Sequence, residues 1–378
     1  MSRGTQPEKG LRIALFCHSI VSDWNHGNAH FLRGLVRNLH RMGHQVAVFE
    51  EEANWSISNL VQDHGEGPVA EFRRRFPFID HRSFVLDGRA RMNDWISDLL
   101  DQVDVCIVHE WNPPRLVEAI GRHAARKGVI SLFHDTHHRA LTEAERLPQL
   151  GLERYSGILA YGPTIAEIYR ASVSGPEVFL FHEGADTDLF RPLEQEKEWD
   201  VLFVGNWGDE DRNETTRQYL IEGAAGLPDA KFALFGVRYP PEVLEDVWAA
   251  GIEWGGWLPN YRAPEAYGRS RMTLHIPRKE YVQALRGTPT IRVFEALACG
   301  VPLISAGWRD DTGLFEDGAD YLAVDTPSQM REAVRWLTGD EDARRRISVH
   351  GLDTVVRRHS CAIRARELLE IIQGLRRP

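Results

Sequence analysis

Residues 287–305 read GTPTIRVFEALACGVPLIS and join a helix pattern to a strand pattern. Thr288 is a candidate cap for the helix, Pro289 suits its first position, and Gly300 is a typical residue to end it. The run VPLIS at 301–305 is apolar on consecutive positions, as expected for a strand with both faces buried. The segment therefore predicts a helix that packs on a parallel sheet.

The same alternation of strand and helix patterns continues in both directions along the 378-residue chain. An apolar stripe over 31–39 predicts a helix that ends at Gly43, and Ser328 is the candidate N-cap of a later helix. Further strands are predicted near 11–17, 45–49, 104–108, 129–133, 157–160, 178–182, 200–204, 230–235, 271–276 and 320–324. This alternation is typical of α/β proteins with doubly wound parallel sheets.

The pattern occurs twice, which predicts two Rossmann-like domains and agrees with the length of the chain. Segment 183–199 lacks periodicity and carries a proline and a charge cluster, so we interpret it as the connection. The predicted domains are 1–188 and 189–355, followed by a helical segment, 356–378, that crosses back to the N-terminal domain. Because such sheets bind ligands at the carboxyl ends of their strands, we expect a cleft between the domains.

Composition excludes several classes of protein. The 45 Lys and Arg residues are outnumbered by 55 Asp and Glu, and the net charge of −10 argues against a general nucleic-acid binder. No apolar run approaches the roughly 20 residues that span a membrane, although a peripheral membrane contact is left open. The polar start does not resemble a secretory signal, and the scattered cysteines form no CxxC motif, so we expect a cytoplasmic protein. These cysteines are Cys17, Cys106, Cys299 and Cys361.

Common catalytic fingerprints are absent from the sequence. No strand is followed by GxGxxG, which argues against a dinucleotide enzyme, and no GxxxxGK[ST] loop indicates a P-loop NTPase. The HExxH and GxSxG motifs of zinc peptidases and serine hydrolases do not occur.

The helix predicted within 287–305 offers an anion site. It begins just after a strand, so its free backbone N–H groups would point into the cleft and suit a diphosphate. Arg292 and Glu295 lie three residues apart on one helix face, and a carboxylate there could accept hydrogen bonds from a ribose diol. On these residues alone, a capped helix with a surface Arg–Glu pair is the favoured interpretation.

Seven segments, in order along the chain, resemble glycosyltransferases with the GT-B fold, especially family four and the CgeB-like group. The segments are GNAHFLRGLVRNLHRMGHQVAVF (27–49), VHEWNPP (108–114), FHDTHH (133–138), HEGADTDLFRP (182–192), VLFVGNWGDEDRNE (201–214), IEWGGWLPN (252–260) and RVFEALACGVPLIS (292–305). The resemblance implies that the second domain binds a nucleoside-diphosphate sugar and that the first receives the acceptor.

The resemblance also assigns site residues by position. Donor-binding residues would be Gly205, Asn206, Arg212, Arg238, Trp257, Leu258, Thr288, Arg292 and Glu295. Acceptor or cleft residues would be His18, Asp23, Gly27, Asn28, His109, Trp111 and His137. Of the catalytic candidates, His134 is assigned by the resemblance and would meet the sugar across the cleft once the domains close on the donor. Glu110 and Asp135 are catalytic candidates for a different reason: with Asp23 and His137, they could supply the general base that an inverting enzyme would need.

Two departures from the family pattern stand out. Many members have two glutamates eight positions apart, but the position eight before Glu295 is Gly287, so the sugar contact of the first glutamate is unfilled. Many also have an Arg and a Lys in the loop that faces the phosphates, for which Arg212 is a candidate substitute here. Other basic residues near the strand–helix junction are Arg278, Lys279, Arg286 and Arg292.

We expect no metal and no cofactor, because fixed cations and helix N–H groups can stabilise a leaving diphosphate. Two Asp-x-Asp strings, Asp186–Asp188 and Asp209–Asp211, lie in the connection and in a loop on the phosphate side. A zinc site at His134, His137 and His138 is disfavoured because a tight turn rarely converges three ligands.

The leading hypothesis is a glycosyltransferase, retaining as family four suggests, whose acceptor is a small molecule, glycan, lipid or protein. A nucleotide-sugar epimerase, a phosphorylase or an inactive sugar-nucleotide-binding or partner-binding protein is the alternative.

Overall fold

The computed structural model describes residues 10–24, 27–52, 54–208 and 210–376. The strands are β1 (Arg12–Cys17), β2 (Gln45–Glu51), β3 (Asp80–Phe84), β4 (Val105–His109), β5 (Ile130–Asp135), β6 (Gly157–Ala160), β7 (Glu177–Leu180), β8 (Trp199–Val204), β9 (Phe232–Phe235), β10 (Ile252–Trp254), β11 (Ser270–His275), β12 (Leu303–Ala306) and β13 (Leu322–Val324).

The α-helices are α1 (Ala29–Arg41), α2 (Trp55–His64), α3 (Gly67–Arg75), α4 (Arg89–Leu100), α5 (Pro114–Lys127), α6 (Arg139–Thr142), α7 (Pro163–Ser172), α8 (Glu210–Thr216), α9 (Glu222–Ala225), α10 (Pro241–Ala249), α11 (Ala263–Gly268), α12 (Lys279–Gln283), α13 (Ile291–Ala298), α14 (Pro327–Gly339), α15 (Glu341–Arg358) and α16 (Cys361–Leu375). Three 3₁₀ turns, Ala144–Leu150, Leu152–Arg154 and Asn260–Arg262, and one π turn, Arg217–Ile221, complete the described elements.

Two parallel sheets organise the described residues. The first has the strand order β3-β2-β1-β4-β5-β6-β7, and the second has the order β10-β9-β8-β11-β12-β13. Both sheets reverse their winding direction once, between β1 and β4 in the first and between β8 and β11 in the second. The predicted class of two doubly wound parallel sheets is confirmed.

The central strands form where apolar residues are consecutive. Residues 13–17 of β1 are all buried, because β2 and β4 flank the strand and helices cover both faces. Helix α1 buries its stripe of Phe31, Leu32, Leu35, Val36 and Leu39 against this sheet. Gly43 follows the helix with a φ of 89°, a conformation that glycine adopts without a steric penalty.

Two predicted helix caps are displaced. The N-cap position of α13 is Thr290 and not Thr288, because Thr290 is the extended residue before the first helical turn, although its side chain makes no capping hydrogen bond. Helix α14 is capped by Thr326, whose side chain accepts a hydrogen bond from the Gln329 amide, so the predicted Ser328 lies inside the helix. In that helix Pro327 occupies the first turn and fixes the start one position after Thr326.

The chain crosses between the halves twice. β7 ends at Leu180 and β8 begins at Trp199, so the predicted boundary at 188 and 189 falls within this connection. Helix α15 packs against α13 in the second half, whereas α16 packs against α1 in the first. The Cys361 side chain, on α16, lies 3.7 Å from the carbonyl oxygen of Phe31, on α1.

All four cysteines are buried and unpaired. None of the described helices is both long enough and apolar enough to cross a membrane.

The two halves touch across the cleft. The Arg278 guanidinium lies 3.1 Å from His138 Nε2, and the rings of His64 and Trp257 stack with centroids 4.6 Å apart. The halves also pack closely at Gly162, before α7, where an added Cβ atom would lie 2.3 Å from the Thr288 hydroxyl oxygen of the second half.

We expect Gly162→Ala to weaken this closed arrangement, because the new methyl group has no room beside the buried Thr288. The cost of overpacking should be about 1–3 kcal/mol of unfolding free energy, with a larger radius of gyration in solution scattering. Thr288→Ala removes the two nearest atoms and should restore both values in the double variant. Unchanged scattering and stability for Gly162→Ala alone would contradict the closed packing.

Candidate functional site

A cleft opens between the halves at the carboxyl ends of β8 and β11 and encloses a cavity of about 170 Å³. This is the switch point of the second sheet, the usual place for a ligand in a doubly wound fold. The first half and the connection contribute Gly27, Asn28, Thr136, His137 and Glu183. The second half contributes 203–206, Arg212, 274–278, Tyr281 and 290–292.

Several residues assigned from sequence meet at this cavity. Gly205, Asn206, Arg212 and Arg292 line it from the donor set, and Gly27, Asn28 and His137 line it from the acceptor set. The structure thus brings residues predicted for donor and acceptor to opposite walls of one cleft.

Three arginines give the second wall a positive character. Arg212 donates from Nε to the carbonyl oxygen of Ile276 at 3.2 Å, which holds its side chain along the end of β11. Arg278 and Arg292 line the same cavity, and Arg292 keeps a quarter of its side chain exposed. Fixed guanidinium groups of this kind suit a phosphate, because their planar donors match its oxygens.

Glu295 holds Arg292 in place. It accepts a hydrogen bond from Arg292, and its Oε1 lies 2.9 Å from His30 Nδ1 of the first half. Burial alone would raise the pKa of Glu295, but Arg292 and His30 outweigh it and lower that pKa. Glu295 is fully enclosed and does not reach the cavity, so the ribose contact implied by resemblance stays a prediction that requires the halves to separate.

A chain of hydrogen bonds shapes the first wall. Asn28 Nδ2 donates to the Thr136 hydroxyl at 2.7 Å, and His109 Nε2 lies 2.7 Å from the same oxygen. His109 is fully buried, so it supports the wall from behind and does not line the cavity. Thr136 was not among the residues assigned from sequence, although it lies within the FHDTHH segment.

The three residues assigned to catalysis do not line this cavity. His134 belongs to β5 and is 1% exposed, with its ring against Phe31 and Phe181. Side chains alternate along a strand, so the next residue, Asp135, points to the other face. The expected turn begins two residues later than predicted, at Thr136, and the expected meeting of His134 with a sugar is not seen in this arrangement.

Asp135 and Glu110 lie together in a separate small cavity beneath α6 and α7. Asp135 accepts hydrogen bonds from the Tyr169 hydroxyl at 2.5 Å and the His137 amide at 2.8 Å. Burial raises the pKa of Asp135 to about 6 and, with the Asp135 charge, raises the pKa of Glu110 well above its usual range. Arg139 lies 3.6 Å from Glu110. These contacts support the loop that presents His137 to the cleft.

An aromatic cluster of the first half adjoins His137 at the first wall. The His18 ring stacks on Trp55 with centroids 5.3 Å apart and lies 5.5 Å from the Trp111 ring. Trp111 also contacts Trp55, His137 and the Arg139 guanidinium. The Trp55 side of this cluster is exposed. Sequence reasoning found His18 and Trp111 but missed Trp55, because an isolated tryptophan at a helix start has no distinguishing pattern.

The remaining residues that were assigned from sequence lie outside the lining of this cavity. Asp23 forms a buried ion pair with Arg33 at 2.9 Å and accepts a hydrogen bond from the Asn260 amide of the second half. Trp257 stacks on His64. Arg238 is exposed and has a φ of 68°. Leu258 and the buried Thr288 do not line the cavity.

His275 and Thr290 form the floor between Arg212 and Arg292. His275 Nδ1 lies 2.9 Å from the Ser305 hydroxyl, and Nε2 lies 2.9 Å from the Thr290 hydroxyl. Burial lowers the pKa of His275 to about 3, so this histidine is neutral at physiological pH. Neither was assigned to the site from sequence, although Thr290 lies within segment 287–305 and His275 within the strand predicted near 271–276.

Within the described residues, no three His, Cys, Asp or Glu side chains are placed to hold a metal ion. This includes His134, His137 and His138. Of the two Asp-x-Asp strings, Asp186–Asp188 lies in the connection, and Asp209 with the side chain of Asp211 falls outside the described residues.

Comparison with known proteins gives two matches to family profiles. Residues 212–370 match the family described as Glycosyl transferase-like, and residues 27–189 match Glycosyltransferase Family 4. No curated protein sequence matches the chain.

Solved structures with the same fold cover nearly the whole chain. HepE from Anabaena, solved in complex with UDP-glucose, is 12% identical with a TM-score of 0.69, covering 96% of this chain and 100% of HepE. The sucrose-phosphate synthase of Thermosynechococcus elongatus is 13% identical with a TM-score of 0.66, covering 97% of this chain and 99% of its own. A glycosyltransferase from Rickettsia africae is 12% identical with a TM-score of 0.66 and coverages of 97% and 98%. At these identities the comparison shows the fold alone.

The burial of His134 predicts a specific pH dependence of stability. Burial lowers the pKa of His134 from 6.5 to about 3, so below pH 6.5 the unfolded chain binds a proton that the folded chain does not. Relative to His134→Phe, the wild type should lose about 2 kcal/mol of unfolding free energy between pH 7 and pH 5. Urea unfolding at both pH values measures the difference, and parallel pH profiles would contradict the burial of a neutral His134.

Proposed function

We propose that this chain, a glycosyltransferase with the GT-B fold that resembles family four, takes its sugar from a nucleoside-diphosphate donor bound in the cleft. The observation that carries the proposal is the convergence of Arg212, Arg278 and Arg292 on one cavity at the switch point of the second sheet. Guanidinium groups beside the start of α13 provide the positive charge that a diphosphate requires.

The same guanidinium groups would stabilise the diphosphate as it leaves the sugar. Negative charge grows on that group as the glycosidic bond breaks, and fixed cations stabilise the charge without having to reorganise. Arg292 is positioned for this by its hydrogen bond to Glu295. We propose that no metal is needed and that the transfer is retaining.

The acceptor would approach from the first half. Asn28, Thr136 and His137 face the donor wall, and the cluster around Trp55 and Trp111 continues from His137 toward solvent. An acceptor seated there would place its hydroxyl group beside the donor sugar.

The cavity is small for such a donor. Its volume of about 170 Å³ lies below the roughly 300–1,000 Å³ of typical ligand pockets. Donor binding therefore requires the two halves to separate first. They would then close on the bound donor in an arrangement wider than this one, which still excludes water.

A thermal-shift screen of UDP, GDP, ADP and dTDP with their sugars tests the donor class, because a ligand that binds only the native state raises stability. UDP-glucose is the first probe, since HepE, which has the same fold, was solved with it. Release of free nucleotide then identifies a transferase or a donor hydrolase. Donor consumption without nucleotide release would indicate an epimerase, and phosphate-dependent turnover a phosphorylase. Binding without turnover would indicate an inactive protein.

Arg212→Gln should weaken binding of the preferred nucleoside diphosphate about tenfold, since it removes a charge-assisted contact. Arg271→Gln is the matched control, because Arg271 pairs with Asp200 near the amino end of β11, away from the cleft. Isothermal titration calorimetry measures both. Equal losses in the two variants, or no loss for Arg212→Gln, would contradict the assignment of the phosphate wall.

Activity should be retained in excess EDTA, because cations on the protein neutralise the diphosphate in this proposal. Nucleotide release before and after chelation is the measurement, with Mg²⁺ and Mn²⁺ added back separately. A loss of turnover that either ion restores would overturn metal independence and direct attention to Asp209 and Asp211.

A further inference from the structure

Glu183 is a buried carboxyl group at the cleft with no assigned role. It lies in the connection between the sheets, is 3% exposed and lines the cavity. Its Oε1 atom is enclosed, and no described residue provides a hydrogen-bond partner for it. Buried polar atoms without partners are rare in folded proteins, so this oxygen calls for an explanation.

The backbone around Glu183 is held on both sides. Its carbonyl oxygen accepts a hydrogen bond from Arg364 Nε on α16 at 3.0 Å. The preceding His182 contacts the Tyr161 carbonyl through Nδ1 at 2.9 Å, and the Ala185 amide donates to His359. The position of the carboxyl group at the cavity is therefore set by the fold and not by a loose loop.

The surroundings favour the neutral form of this group. Burial and the charge of Glu295 raise the pKa of Glu183 well above its usual range, and Arg292 opposes them only in part. A neutral carboxyl group donates one hydrogen bond and accepts others, which matches sugar hydroxyl groups. A charged one would repel a diphosphate bound beside it.

We propose that Glu183 binds hydroxyl groups of the donor sugar and thereby selects the sugar. This inference rests on the proposed function. The arginine-lined part of the cavity suits the diphosphate, whereas a carboxyl group can recognise only hydrogen-bond donors and acceptors such as hydroxyl groups. A bound sugar supplies the partner that Oε1 lacks.

The test separates sugar binding from nucleotide binding. Wild type, Glu183→Ala and Glu183→Gln are titrated with UDP, UDP-glucose, UDP-galactose and UDP-N-acetylglucosamine, or with the matching set for the base found in the screen. Glu183→Ala should lose about tenfold in affinity for the preferred nucleotide sugar and keep that for the free diphosphate. Glu183→Gln should restore most of the affinity, because its amide also donates and accepts.

Two controls distinguish sugar binding by Glu183 from a purely structural role of this residue. Glu194→Ala removes an exposed carboxylate from the same connection and should change neither affinity. Glu183→Gln keeps the volume of the side chain, so the melting temperature of this ligand-free variant should equal that of the wild type, whereas Glu183→Ala also removes buried methylene groups. A lower melting temperature for Glu183→Gln, or equal losses of affinity for UDP and UDP-sugar in Glu183→Ala, would overturn the inference.

Different results of these titrations would rule out the proposed function and this inference. If wild type binds no nucleotide sugar of any base, the proposed function fails and the inference falls with it. If wild type binds one and both Glu183 variants bind it equally well, only the inference is wrong.

Discussion

The carboxylate of Glu295 has no access to solvent, and an enclosed charge is stable only when it is paired. Its partners come from both halves of the molecule: Arg292 from its own helix and His30 from α1. The contact therefore joins α13 to the first half at the base of the cleft. It also leaves the Arg292 side chain at the cavity wall. The positive surface on which the proposed chemistry depends is a consequence of this buried pairing.

Much of the fold was predictable because its central strands are buried on both faces. β4 reads VCIVH, and all five of its residues are buried. Burial on both faces requires consecutive apolar residues, and this run is easily recognised in the sequence. β3, which reads DHRSF, was missed because it is an edge strand with mostly exposed side chains. The displaced cap at Thr290 has a similar cause. Two threonines flank Pro289, and the sequence does not show which of them directly precedes the first helical turn.

The candidate site was predictable in part. Gly205, Asn206, Arg212 and Arg292 follow strands or open a helix, and the topology gathers such positions at one edge of the sheet. His134 was misplaced because the strand extends two residues further than its apolar run suggests, which turns its ring into the core. Glu183 could not be found from sequence. Its significance lies in a missing hydrogen-bond partner, which only the packing of α16 and both sheets reveals.

In the proposed function, a nucleotide sugar binds between the two sheets at the carboxyl ends of β8 and β11. Hydrogen–deuterium exchange of the full chain, with and without saturating donor, tests this binding site. We expect slower exchange in peptides that cover 203–208, 274–278 and 288–292, together with 136–138 of the first half. Slower exchange confined to other surfaces, or to one wall of the cleft alone, would contradict it.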